Sequence, residues 1–260
     1  MKYATCPKCG HAPLPADQSL PAACPACGLI LAKFGAAPTR PPRKESGPDF
    51  EESPEHGRLA GLLFHVPEQV SRVNWIGRMV ALAVFTLWTL WIWQDSDVAA
   101  GETGSRFLHL VLTPFHEAGH YAIFRWFGEF IMILGGTLAQ HLMPIVVAGA
   151  LLIQRRDPFG AAIFFWLLGF SVLDMAVYMY DAYDPKLQLL GGGTGAESDG
   201  HDWQNLFGDL GILNSARGIG VFFGWVGRVI MLAGLVWAAW IMLLQRARLS
   251  DSPFAEENSE

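Results

Sequence analysis

The stretch Thr113-Pro114-Phe115-His116-Glu117-Ala118-Gly119-His120-Tyr121-Ala122-Ile123-Phe124 sets two histidines and a glutamate inside an otherwise apolar run. On a helix the i, i+4 spacing puts His116 and His120 on one face about a turn apart, so two imidazole nitrogens can grip one Zn²⁺. Glu117 then stands beside the ion. In an HExxH arrangement that glutamate takes a proton from water the metal has acidified. The competing reading is a pair of histidines hydrogen-bonded within a helix bundle. It carries a cost, because a His-Glu-His cluster among Phe115, Tyr121, Ile123 and Phe124 is expensive in lipid without a ligand or a cavity.

The rest of the chain supplies that lipid setting. Of its 260 residues 52% are hydrophobic and 16% charged, which is too apolar for an ordinary soluble domain of this size. Charge and proline crowd into residues 1–75 and the last ten positions, while the middle carries long apolar runs. The formal net charge of -6 comes without an acidic block or a basic cluster, so nothing indicates nucleic-acid binding. The opening residues Met1 to Cys6 lack an apolar h-region, so no cleavable signal peptide is expected.

The apolar runs predict a mainly α, polytopic transmembrane bundle of about four to five spans over residues 73–248. The first span is expected at Ile76–Trp93, with Trp75, Trp88, Trp91 and Trp93 near its ends. The second, about Ser105–Phe127, carries the HExxH near its middle. Gly135-Gly136 and Pro144 predict an extended or re-entrant lead-in before a third span that runs to Ile153. Phe159–Tyr180 and Ile219–Leu244 complete the set. Five full spans with a cytosolic N-terminus would leave Arg155, Arg156, Arg246 and Arg248 outside, against the positive-inside tendency, so either one segment is re-entrant, with Ile131–Gln154 the candidate, or the tendency is overridden.

Within these spans Asp174 stands out, since an ionisable group at membrane depth is functional by default. The expected partner is the metal, with Asp174 as third ligand. Asp181, seven residues on, is expected to be a solvated boundary carboxylate. Residues 184–218 form a long polar loop with Gly191-Gly192-Gly193-Thr194-Gly195 followed by His201-Asp202-Trp203. Asp202 can cap a short helix there, or His201 and Asp202 can fold back over the site as alternative third ligand or substrate contact.

All four cysteines lie in the first 27 residues, as Cys6-Pro7-Lys8-Cys9 and Cys24-Pro25-Ala26-Cys27, each pair followed by Gly (Gly10, Gly28). Four thiolates on two such knuckles fit one structural zinc, and two disulfides are the alternative. This segment, residues 1–34, resembles the zinc ribbon at the head of many bacterial proteins. Reduced thiolates place the N-terminus in the cytosol, at what the resemblance suggests is a bacterial inner membrane. A flexible Pro-rich linker is expected over 35–72, with Leu59–Val66 lying on the membrane or docking on the bundle, and a polar tail over 249–260.

The membrane part resembles the site-2 protease class of intramembrane zinc metalloproteases. The resemblance rests on His116-Glu117-Ala118-Gly119-His120, on Gly135-Gly136-Thr137-Leu138-Ala139-Gln140, and on Leu173-Asp174, and covers about residues 105–182. Met175 stands where that family has Gly, and Gln140 where it has Asn. The family relation implies a zinc held by two histidines and an aspartate, with Glu117 activating water to cleave a peptide bond in or near a partner's transmembrane segment. The expectation is therefore a zinc metalloendopeptidase in the lipid bilayer, acting on a membrane-protein substrate, whose ribbon binds a cytosolic partner or the substrate's tail. The alternative is a non-catalytic metal-binding scaffold.

Overall fold

A computed structural model describes residues 3–19, 22–34, 55–189, 192–198 and 200–250. The chain divides into two compact units, Met1–Glu52 and Ser53–Glu260. Most of the expected linker (35–54) and nearly all of the expected tail (251–260) lie outside the described residues.

In the first unit two near-identical turns face one another. Gly10 N–H donates to Cys6 C=O (2.8 Å) and Gly28 N–H to Cys24 C=O (2.9 Å), with φ of 72° and 71° at the two glycines. That left-handed backbone is open to Gly at little cost and strained for other residues. A single helical turn, α1 (Leu31–Phe34), follows the second knuckle.

The second unit is a helix bundle. Its elements in order are α2 (Glu55–Leu63), β1 (Val70–Ser71), α3 (Arg72–Asp95), β2 (Ser96–Asp97), β3 (Glu102–Thr103), α4 (Arg106–Ala118), α5 (Glu129–Gln154), α6 (Pro158–Asp181), α7 (Asp202–Asp209), α8 (Ala216–Arg246) and β4 (Leu249–Ser250). Among the described residues α3, α5, α6 and the stretch Leu213–Arg246 that contains α8 are long and apolar enough to cross a membrane. This is an integral-membrane architecture. Helix α6 is its axis, 67% buried over its most apolar stretch against 11–33% for the other three. It lies so close to α8 that a Cβ on Gly169, Gly220, Gly227 or Gly234 would come within 3 Å of the partner backbone. The glycine rows, not side-chain interdigitation, set that spacing.

Three expectations change. The residues around Gly135-Gly136 and Pro144 are neither extended nor re-entrant but lie inside the continuous 26-residue α5. Pro144 is buried, and neighbouring helices let a membrane helix tolerate a proline that water would not. The HExxH segment is not a full span. Helix α4 has 13 residues and starts inside the bundle, where a Cβ on Gly104 would lie 2.3 Å from the Ile92 carbonyl oxygen, and it ends in a five-residue π-turn, Gly119–Ile123. Residues 55–72, expected as linker, belong to the bundle unit. Trp237 Nε1–H donates to Leu63 C=O (2.9 Å), and β1 pairs in parallel with β4.

These contacts give each helix a direction. Trp75 meets Met242, Arg78 Nη2 lies 3.5 Å from Asp157 Oδ1, and Arg248 Nη1–H donates to Val66 C=O (2.6 Å). The start of α3, the end of α5, the start of α6 and the end of α8 therefore share one end of the bundle. Arg72, Arg78, Arg155, Arg156, Arg246 and Arg248 gather there. The His65 imidazole beside them is pushed below its usual pKa, by burial first and then by the charges of Arg156 and Arg248. Since α4 runs antiparallel to α5, it points the same way as α3 and adds no crossing. With four crossings the arginines fall on one side, and the conflict seen in the sequence disappears.

Candidate metal centres

In the first unit the sulfur atoms of Cys6, Cys9, Cys24 and Cys27 all lie within 4.8 Å of one another. Cys6 Sγ is 3.7 Å from Cys27 Sγ, and Cys9 Sγ is 3.8 Å from Cys24 Sγ. A disulfide needs about 2.05 Å. A tetrahedral zinc with bonds of about 2.3 Å places its sulfurs about 3.8 Å apart. The thiols thus hold the spacing of a metal cage, not of two disulfides. Burial pushes the Cys6 thiol up, but the amides of Cys9 and Lys8 outweigh it and hold it down to about 6. Cys9, against the lowering amide of His11, is pushed up to about 12 by Cys27 and burial, so a cation among the four sulfurs has to displace its proton.

In the bundle, His116 and His120 meet Asp202 of α7. His116 Nε2 is 2.9 Å from Asp202 Oδ2, His120 Nε2 is 3.2 Å from the same oxygen, and the two Nε2 atoms are 3.0 Å apart. The far side of each ring decides what these atoms are. His120 Nδ1 lies 2.8 Å from the carbonyl oxygen of Met132, which only accepts, so Nδ1 carries the hydrogen. His116 Nδ1 lies 3.1 Å from Gln140 Oε1. That amide is oriented by Asp174, whose Oδ2 accepts from Gln140 Nε2 at 3.0 Å. In the neutral tautomer these contacts select, each ring turns a bare Nε2 lone pair inward, towards the other and towards a carboxylate oxygen. A proton can bridge one of these three contacts, whereas a cation at the centre satisfies all three. A tetrahedral ion with bonds of about 2.0–2.1 Å needs donors about 3.3 Å apart, so the cluster has only to open by a few tenths of an ångström.

Local sequence explains the convergence. A Cβ on Gly136 would stand 2.3 Å from His120 Nε2 and 2.7 Å from His116 Nε2, and one on Gly119 would stand 2.1 Å from the Gly135 carbonyl oxygen. Two glycines inside a helix each cost about 1 kcal/mol relative to Ala, a cost α5 accepts where the HExxH face must lie against it. The π-turn that carries His120 closes through Phe124 N–H to Gly119 C=O (3.0 Å). Such single-turn π segments concentrate at functional sites.

Asp174, expected as third ligand, is engaged elsewhere. Its Oδ1 lies 2.9 Å from His109 Nδ1 and its Oδ2 on Gln140, so it stands behind His116 and outside the three-residue cluster. The physical reason is reach: α6 presents Asp174 to the far side of α5's Gln140, whereas the loop after α6 returns Asp202 directly over the histidines. His201 is not in the cluster either. It is fully buried, and its Nδ1 accepts from Gln204 N–H at 3.1 Å, so His201, not Asp202, caps α7. Burial pushes its pKa below the usual value against the pull of Asp181, which keeps the cap neutral. Its Nε2–H donates to Asp181 Oδ2 (3.2 Å), while Asp181 also accepts from the amides of Lys186 and Leu187. Asp181 is thus a nearly buried anchor for the loop and not a solvated boundary residue.

Tyr178 completes the support. Its ring stacks on His201 with centroids 4.1 Å apart, and its hydroxyl accepts from Asp202 N–H at 3.3 Å. His109 and Tyr178 were missed from sequence. His109 offered a signal, since it sits seven residues before His116, two turns back on the same helix face. Glu117 is half-buried and close enough to His120 and Tyr178 to act on both electrostatically. The side chains of His116, His120 and Asp202 keep 12–16% of their surface open, so water can reach them.

Fold and sites together define a polytopic, mainly α membrane protein with two candidate metal clusters, one of four cysteines and one of two histidines and an aspartate. No protein-family model, curated protein or solved structure matches the chain.

Proposed function

We propose that the chain is an intramembrane zinc metallopeptidase that cleaves a peptide bond in or beside a partner's membrane helix, with His116, His120 and Asp202 as ligands. The observation that carries this reading is the convergence of three acceptor atoms within 3.2 Å, with both imidazole hydrogens directed away from the centre. When bound, zinc lowers the pKa of water and polarises a carbonyl oxygen. Glu117, next in sequence to His116, would serve as the base for such a water and would return the proton to the leaving amine. His116 and His120 are held in the ligating tautomer by Gln140 and the Met132 carbonyl. Tyr178 fixes the backbone of Asp202 and keeps its carboxylate over the two rings. A purely structural ion has no use for a general base beside it, and this favours the enzyme over a scaffold. The four-cysteine unit supplies a second, structural zinc and a surface for a protein partner or the substrate's tail.

Glu117→Gln tests the proposal. The variant should keep one zinc per membrane site by elemental analysis and lose activity by about 10²–10⁴-fold. An uncleaved membrane protein should accumulate in cells that carry it. Membrane proteomes identical to wild type, with zinc bound in both, would instead support the scaffold.

A further inference from the structure

We infer that the end of the bundle opposite the histidine-aspartate cluster binds an anionic phospholipid, with Arg155, Arg156, Arg246 and Arg248 on its phosphate and neighbouring apolar residues on its acyl chains. The inference stands apart from the metal site and from any activity there. Three segments are drawn together at this end. Trp237 Nε1–H donates to the Leu63 carbonyl, Arg248 Nη1–H donates to the carbonyls of Val66 and Pro67, and Val70 pairs with Leu249. Asp157, at the turn between α5 and α6, lies 3.5 Å from Arg78 of α3. His65, whose pKa is lowered first by burial, also feels Arg156 and Arg248 together, so the α5–α6 turn and the end of α8 are neighbours.

Charge and exposure say what covers this surface. Among the described side chains this end carries six arginines against Glu68 and Asp157. Arg155, Arg156, Arg246 and Arg248 are exposed, and none of the four meets a carboxylate among the described residues. Beside them Phe64, Val73, Ile153 and Leu243 are 45–71% exposed. Leu243 stands one turn before Arg246 on the same face of α8, and Ile153 lies in the last turn of α5, just before Arg155. A soluble anion would use the guanidinium groups and leave the apolar side chains in water. A phospholipid covers both, with its phosphate on the guanidinium forks and its chains on the apolar residues.

Arg156 supplies an independent sign. It is the one non-glycine residue with positive φ among the described residues, at 49°. Gly takes that left-handed backbone freely, whereas a residue with a Cβ is strained in it. Such strain persists where the side chain itself is needed.

The test is native mass spectrometry of the full-length protein in detergent, titrated with phosphatidylglycerol, with phosphatidylcholine, or with glycerol phosphate as the soluble headgroup. Phosphatidylglycerol should bind more tightly than phosphatidylcholine, and glycerol phosphate should not displace it. Arg155→Gln and Arg246→Gln should each weaken phosphatidylglycerol binding by about fivefold, the share of one arginine at an anionic lipid surface. Arg125→Gln, at the other end of the bundle, should leave it unchanged. Arg156→Gly relaxes the backbone, so it should unfold at a temperature no lower than wild type in phosphatidylcholine and still lose lipid affinity, which separates loss of the ligand from misfolding. Equal affinity for the two lipids overturns the inference, and is the result to be seen if the carboxylates of residues 251–260 cover the arginines instead. Displacement by glycerol phosphate would make this a site for soluble phosphate and overturn the lipid. A loss in Arg125→Gln as large as in Arg155→Gln would reduce the effect to diffuse attraction and overturn the local site.

Discussion

Asp174 orients His116 through Gln140 without touching it. The carboxylate takes one N–H of Gln140 at 3.0 Å, which leaves the amide oxygen 3.1 Å from His116 Nδ1 and holds the ring hydrogen on that side. An aspartate in a membrane helix is readily taken for a ligand. Here it acts one residue removed, and His109 shares its charge from the other side at 2.9 Å.

Asp174→Asn should therefore weaken zinc binding at the membrane site without abolishing it. The replacement amide presents either a donor or an acceptor, so the orientation of Gln140 is no longer dictated. Gln140→Leu should weaken binding by a similar factor, about 10–100-fold, as is usual when the support of a ligating histidine is removed. Combining the two should give little further loss, because both break the same chain of bonds. Zinc competition with a chromogenic chelator reads this directly. Loss of metal in Asp174→Asn as complete as in His116→Ala would make Asp174 a ligand after all.

Asp202 and His201 are neighbours with different work, and substitution separates them. Asp202→Ala should remove zinc from the membrane site, since it deletes the one carboxylate oxygen that both imidazoles face. His201→Ala should destabilise α7 by about 1 kcal/mol or more, through loss of its cap. His201→Asn restores a good capping side chain, and it should recover most of the metal binding that His201→Ala loses. Elemental analysis of the purified variants, alongside their thermal unfolding, distinguishes ligand from cap.

Much of this was legible in the sequence, and the gaps have physical causes. The four spanning helices follow from long apolar runs, and the cysteine cage from its two CPxC knuckles, because both patterns are local. His116 and His120 were legible for the same reason. Pro144 and Gly135-Gly136 misled, because in water they would break a helix, whereas here the two glycines pack against the HExxH segment, Pro144 is buried in the bundle, and all three stay helical. The third member of the cluster was not readable. Asp174 and Asp202 are both acidic residues in the right half of the chain, and choosing between them depends on how the 20-residue connection from α6 to α7 folds back. That return is set by His201 on Asp181 and by Tyr178 on Asp202, pairings 20 and 24 residues apart with no sequence signature.

The cysteine unit should fold by itself on zinc. A fragment of residues 1–34 has too little core to be stable alone, so the metal supplies most of its folding free energy. It should gain structure on addition of one equivalent of Zn²⁺ and lose it with chelator, followed by circular dichroism under reducing conditions. A fragment already folded without metal, or one that holds two disulfides in the presence of reductant, would contradict the sulfur spacings of 3.7 and 3.8 Å.

Gly136→Ala gives the sharpest test of the membrane site, because it removes no ligand and no charge. The added methyl group would stand 2.3 Å from His120 Nε2 and 2.7 Å from His116 Nε2, in the space the two lone pairs share. Neither ring can retreat while its Nδ1 stays bonded, His120 to Met132 and His116 to Gln140. Zinc affinity should fall by more than tenfold. Gly149→Ala is the control on the same helix, since a Cβ there meets nothing within 4 Å. By helix propensity alone that substitution gains up to about 1 kcal/mol, and its metal content should match wild type. Equal zinc in the two variants would mean that the ion does not lie between His116 and His120, and the assignment of the HExxH face as a metal site would fall with it.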